Sequence, residues 1–204
     1  IAGDLARAML EEYGTLKNRI QMAERAPQKT KDIWKKLGIV PRGVDREIVE
    51  SMHRIHMGVG ADYTNILLHA MRTSLSDGWG GSMMATEGSD ILFGTPTPLR
   101  SRTNLATLSR DKVNIVLHGH NPILSEMIVK AAEDAKLKKL ATEKGAKGIN
   151  LVGMCCTGNE LLMRHGIPIA GSFLDQELAI ATGSVEVMVI DYQCIFPSIP
   201  QTAA

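Results

Sequence analysis

The strongest constraint on the fold lies after residue 110. Four short apolar stretches rich in β-branched residues recur there: "KVNIVLHG" (112–119), "GINLVGMCC" (148–156), "IPIAGSF" (167–173) and "VEVMVIDYQC" (185–194). Each is too short for a helix of ordinary length and apolar without strict alternation, the pattern of a strand buried on both faces. Helix-like segments separate them. "PILSEMIVKAAEDAKLKKLATEKG" (122–145) reads as one amphipathic helix, "NELLMRHG" (159–166) as a short one, and "DQELAIATG" (175–183) as a helix capped by Asp175. Strands separated by helices cannot close as hairpins, so they pair in parallel by crossover. The expected architecture is an open, doubly wound, Rossmann-like parallel sheet.

Upstream the period changes to that of helices. Leu5, Met9, Tyr13 and Leu16 share one helical stripe. "KTKDIWKKLGIVPRG" ends at Gly38, a C′ glycine, with Pro41 beyond it. Asp45 and Asp62 stand as N-caps before two further periodic runs, the second stopped by the glycines of "GWGG". "SMMATEGSDILFGTPTP" reads as a helix ending before Pro96 and Pro98. The chain therefore divides into a helical region, 1–108, and a parallel-sheet half-domain, 109–204: an α plus α/β protein.

Composition narrows the partners. A net charge of +1 over 204 residues implies no polyanion-binding surface, so nucleic acid is not expected. No apolar run reaches the length of a membrane span. Three cysteines, an odd and small number, argue against a disulfide framework and for a reducing compartment, the cytoplasm. The chain opens on Ile1 and stops at "SIPQTAA", so a fragment of a longer gene product is expected.

In an open parallel sheet, ligands gather beyond the carboxyl ends of the strands. His118 and His120 close the first run, Cys155 and Cys156 the second, and Cys194 the fourth. Every cysteine in the chain thus falls at one sheet edge. A lone free cysteine is often only a small buried hydrophobe, but that reading leaves the grouping unexplained. A cysteine hydrolase would use Cys156, its thiolate favoured by the following helix N-terminus, with His120 as base; it gives Cys194 no role. A metal site uses all three positions. Thiolates with an imidazole suit zinc, iron–sulfur or nickel, and the absence of a CxxC pair argues against a zinc ribbon. A cluster assembled from several strand ends fits best. His53 and His56 read as exposed or structural, His69 and His165 have no evident partner, and "KLKKLATEK" reads as a solvated face. Met83 and Met84 fill gaps in a helical core.

"VNIVLHGHNPILSEMI", "GINLVGMCCTGNELLMRHGIP" and "VMVIDYQCIFPS" resemble the nickel-dependent carbon monoxide dehydrogenases of anaerobes. "VPRGVDREIVESMHRIHMG" and "MRTSLSDGWGGSMMATEGSDILFGTP" match the helical domain of the same family, so the likeness spans nearly the whole chain. The resemblance implies a nickel–iron–sulfur cluster, a NiFe3S4 core with one pendant iron. It implies His120 and Cys156 on the pendant iron, which carries hydroxide, and Cys194 on a core iron. The nickel cysteine, the proton-transfer residues and the ligands of additional [4Fe-4S] clusters would lie outside this chain. The implied reaction converts CO and water to CO2, two protons and two electrons, reversibly. Implied partners are a ferredoxin-type electron acceptor, a second copy in a homodimer and, in some members, an acetyl-CoA synthase. His118, Cys155, Asn159 and Glu160 would stand around the ligands, Gly158 would let backbone approach the cluster, and Asn159 or Glu160 would cap the following helix. A hybrid-cluster redox protein, which shares the broader fold, is the alternative within redox chemistry.

Overall fold

A computed structural model describes residues 2–13 and 19–204, the side chain of Tyr13 excepted. Leu16 and the Tyr13 side chain, half of the expected N-terminal stripe, lie outside the described residues. The chain forms two compact units, Ile1–Leu92 and Phe93–Ala204.

The first unit is helical: α1 (Ala2–Tyr13), a 3-10 turn (Gln21–Arg25), α2 (Gln28–Leu37), α3 (Val44–Arg54), α4 (Tyr63–Ser76) and α5 (Met83–Phe93). Its apolar core gathers Ala8, Ile20, Met22, Trp34 and Ile39, with Met83 and Met84 packed against it. Trp34 and Trp79 meet edge to face, 5.8 Å between ring centres. Gly38 ends α2 in the left-handed conformation, φ 68°, as expected of a C′ glycine. Asp62 caps α4 by accepting from Thr64 N at 3.0 Å. Two expectations fail. Gly43, not Asp45, is the N-cap of α3, and Asp45 lies in the first turn, where its charge favours the helix dipole. The "GWGG" glycines do not stop α4: the chain continues through a π-helical turn, Asp77–Ser82, into α5. Packing overrides propensity here, because Gly80 lies so close to the buried Glu12 that a Cβ would come within 3.0 Å of Glu12 Oε1.

The second unit carries β1 (Val113–Gly119), α6 (Ile123–Ala132), α7 (Ala135–Glu143), β2 (Ile149–Met154), α8 (Cys155–His165), β3 (Ile169–Gly171), α9 (Gln176–Ala181), β4 (Val187–Ile190) and α10 (Ile199–Thr202). The unit begins at Phe93 rather than after residue 108 because the segment before β1 docks on the sheet. Asn104 N donates to Ile169 O at 3.3 Å, Asn150 Nδ2 donates to Thr107 O at 2.9 Å, and Leu105 and Leu108 pack onto its core. All pairings are parallel, in the order β3-β2-β1-β4. Ile115 pairs with Leu151 on one side and Val187 on the other.

β1 is buried on both faces, as its apolar run requires. Val116 packs with Val152, Met154 and Ala179; Leu117 packs with Val129, Leu161 and Ile167. Each fully buried aliphatic side chain contributes roughly 1.5–3 kcal/mol. The predicted helix 122–145 is broken into α6 and α7, because the Asp134 side chain accepts from Lys136 N at 2.7 Å and starts a new helix. Asp175 does not cap α9 with its side chain; it forms a capping box with Ser172 on the preceding 3-10 turn, Phe173–Asp175. The strand order reverses direction between β1 and β4, so their carboxyl ends form the crevice where open sheets bind ligands.

Candidate metal centre

Three strand ends build the site. β2 ends in extended backbone at Met154, and the next residue, Cys155, turns to φ 60° and opens α8. Cys155 and Cys156 are therefore helix residues, not strand residues as the run suggested. Gly119, the last residue of β1, bridges to Cys155 in parallel fashion. α8 can start directly on the strand because two glycines meet: a Cβ on Gly158 would lie 2.7 Å from the carbonyl carbon of Gly153. Gly158 thus makes a close approach to β2.

β4 leads through Asp191 and Tyr192 to Gln193 and Cys194, both at positive φ, 64° and 55°. Among the described residues, Cys155, Gln193 and Cys194 are the non-glycine positions in that region. Such backbone costs of order 1–3 kcal/mol per residue and persists only where surrounding contacts enforce it.

Two side chains do the enforcing, and sequence reading singled out neither. Asp191 Oδ1 accepts from His120 N at 2.7 Å and also from Tyr192 N, while Oδ2 accepts from Thr157 Oγ1 at 2.7 Å. Gly119 makes room for it: at φ 136°, a Cβ there would lie 1.8 Å from Asp191 Oδ1. Gln176, wholly buried, donates from Nε2 to Cys194 O at 3.2 Å and to Phe173 O. Its Oε1 accepts from Phe196 N at 3.0 Å and lies 3.2 Å from His118 Nε2. With the Gln176 amide nitrogen committed to carbonyls, the His118 proton belongs on Nε2. Burial pushes the His118 pKa down. The one available clue to Asp191 was an acid directly after an apolar strand; nothing local marks Gln176.

All three cysteines are free thiols. Burial pushes the Cys155 and Cys194 thiols up from their ordinary value. The His120 ring stands edge-on to Tyr192, 5.8 Å between ring centres. Burial pushes the Cys156 thiol up from its ordinary value, and the acids around it, Cys194, Glu160 and Asp191, push the same way. This removes the lowered pKa that a hydrolase reading needs. Asn159 and Glu160 do not cap α8: Asn159 Nδ2 donates to Cys155 O at 3.2 Å, and Glu160 pairs with Arg164 one turn on. The α8 N-cap, Met154, offers no side-chain acceptor.

The remaining histidines sort by their contacts. His53 and His56 are exposed. His69 and His165 do have partners, each a buried glutamate: Glu47 Oε2 at 3.0 Å and Glu126 Oε2 at 2.7 Å.

Single-ion geometry is absent from the thiol site. Among the described residues, only Glu47, Glu50 and His69 bring three ligand atoms within 4.8 Å of one another. Four sulfurs around one zinc, at bonds of about 2.3 Å, would lie closer together than that. Thiolate with imidazole is the donor chemistry that zinc and iron–sulfur groups take.

A family model described as the Prismane/CO dehydrogenase family matches residues 1–204. Carbon monoxide dehydrogenase 1 of Methanosarcina mazei is 64% identical over 199 residues, 98% of this chain and 32% of that protein. A nickel-free carbon monoxide dehydrogenase from Thermococcus sp. AM4 superposes with a TM-score of 0.82 at 56% identity, covering 99% of this chain and 32% of its own. An acetyl-CoA synthase/carbon monoxide dehydrogenase, whose structure carries NiZn[Fe4S4] and NiNi[Fe4S4] clusters in its alpha subunits, superposes at 0.80 with 45% identity, over 99% and 30% of the two chains. This chain spans about a third of the length of these relatives. With the parallel sheet, the strand-end thiols and a match along its full length, the chain belongs to the Prismane/CO dehydrogenase family.

Proposed function

We propose that this chain is the central part of a nickel-dependent carbon monoxide dehydrogenase, an oxidoreductase that converts CO and water to CO2, two protons and two electrons, reversibly. The observation that carries the reading is the meeting of the "HGHNP", "CCTGNE" and "DYQC" segments at the carboxyl edge of one parallel sheet, with Cys155 and Cys194 held at positive φ. His120 and Cys156 would hold the pendant iron of a nickel–iron–sulfur cluster, and Cys194 a core iron. When bound, the cluster supplies the redox and Lewis-acid chemistry of the reaction.

The protein side of the work is positioning. Asp191 fixes the backbone at His120, and Gln176 fixes it at Cys194. The remaining ligands, including the nickel cysteine and those of further [4Fe-4S] clusters, belong to parts of the enzyme outside this chain, and the 204-residue piece alone is inactive. The complete enzyme is a cytoplasmic homodimer that passes electrons to a ferredoxin-type acceptor, in some members alongside an acetyl-CoA synthase. No helix among the described residues is long and apolar enough to cross a membrane.

The test is His120→Ala in the full-length protein, purified without oxygen. Most CO oxidation is lost and the spectrum of the pendant iron changes. Turnover at the wild-type rate would overturn the assignment. Nickel analysis of the unmodified protein separates this enzyme from a hybrid-cluster redox protein.

A further inference from the structure

Three donor-bearing backbone segments meet at this site, and one side chain touches all of them. Asp191 Oδ1 receives the N–H of His120 from the end of β1 and the N–H of Tyr192 on the way to Cys194. Asp191 Oδ2 receives the hydroxyl of Thr157, the residue after Cys156. The Asp191 backbone N–H donates to His118 O at 3.1 Å and extends the β1–β4 ladder to the edge. Gly119 is shaped to this carboxylate, since any side chain there would collide with it. None of these contacts makes Asp191 a ligand; all of them set where ligands stand.

We infer that Asp191 is the positioning residue of the metal centre: its carboxylate holds His120, Cys156 and Cys194 in one fixed arrangement and places a negative charge beside the cluster. This rests on the function proposed above. Two consequences follow from the two roles. Loss of the acceptor releases three segments at once, and partners that orient metal ligands typically account for about 10–100-fold in metal affinity. Loss of the charge alone favours the reduced cluster, because net charge nearby helps set cluster potential.

The roles separate by substitution. Asp191→Asn keeps an oxygen for His120 N and Tyr192 N, and its amide nitrogen can donate to Thr157 Oγ1, which also accepts. Asp191→Ala removes every contact. In the full-length protein purified without oxygen, Asp191→Ala loses most of the nickel and iron of this centre. Asp191→Asn retains the metal, and its cluster titrates at a more positive potential, followed by electron paramagnetic resonance. Wild-type metal content and an unchanged spectrum in Asp191→Ala would overturn the inference. Should Asp191→Ala fail to fold, Asp191→Asn decides: a metal-loaded cluster with unshifted potential overturns the inference. Wild-type protein devoid of nickel and cluster iron would instead overturn the proposed function, and this inference with it.

Discussion

Each unit of the chain holds a polar centre, and the two are built on opposite terms. In the helical unit, Glu47 lies fully buried between Arg42, Arg72 and His69, and Glu50 beside it pairs with Arg42, Arg54 and Arg72. Its ligand-type atoms converge as tightly as a metal would ask, yet the arginines already supply the counter-charge. In the sheet unit, the thiols and His120 bring no three ligand atoms within 4.8 Å of one another. Closeness of donors alone therefore does not mark the proposed metal centre; the soft donor chemistry at the strand ends does.

The comparison can be broken at its strongest point first. Glu47→Ala leaves Arg42 and Arg72 facing a void with only Glu50 to share between them, and breaking a buried pair costs about 3–5 kcal/mol. Denaturant unfolding measures it. A loss below about 1 kcal/mol would put the network in the class of surface pairs and remove the contrast. Next comes Gly158→Ala. The added methyl would press on Gly153 at 2.7 Å, and overpacking of this kind costs about 1–3 kcal/mol. Because α8 carries Cys156, metal content should fall along with stability; a fall in stability with full metal content would show that α8 tolerates a shift without moving its thiols.

The smallest effect is a pH dependence in the helical unit. Burial pushes Glu50 up, but hydrogen bonds from Arg42 and Arg54 outweigh it and hold the carboxyl down to about 2. Glu47 is likewise lowered: burial raises it, and Arg42 and Arg72 more than offset that. A folded pKa below the ordinary 4.5 means that the stabilisation is complete above 4.5 and fades as pH falls toward about 2. Helical-unit probes such as Trp34 and Trp79 should thus report weakening within that window, and Glu50→Gln should blunt it. An acid profile identical in Glu50→Gln would refute this account.

How much of this was legible in the sequence follows from how local each cause is. β1 was readable because an apolar β-branched run buried on both faces leaves a continuous signature. Gly38 and Asp62 were readable because a C′ glycine and an N-cap act within a few residues. The break at Asp134 was hidden, since helical periodicity runs on through it while a single side chain–backbone bond restarts the helix. The π-helical turn was hidden because it depends on Gly80 meeting Glu12, far away in sequence. At the site, the placing of His118, His120, Cys155, Cys156 and Cys194 at one sheet edge followed from the rule about strand ends, and the choice of His120, Cys156 and Cys194 among them came from the family resemblance. Asp191 and Gln176 did not follow, because their meaning lies wholly in partners the sheet brings to them. The same distance concealed the glutamate partners of His69 and His165.

The parallel order β3-β2-β1-β4 also sets a sequence of events in time. Each donor sits on a different strand end, and parallel neighbours are joined only through intervening helices, so an unfolded chain offers no two of these segments together. Register must be established before the donors meet. A cluster that binds only the folded form then stabilises it by mass action, and metal uptake becomes a late checkpoint that reports whether the sheet has closed correctly.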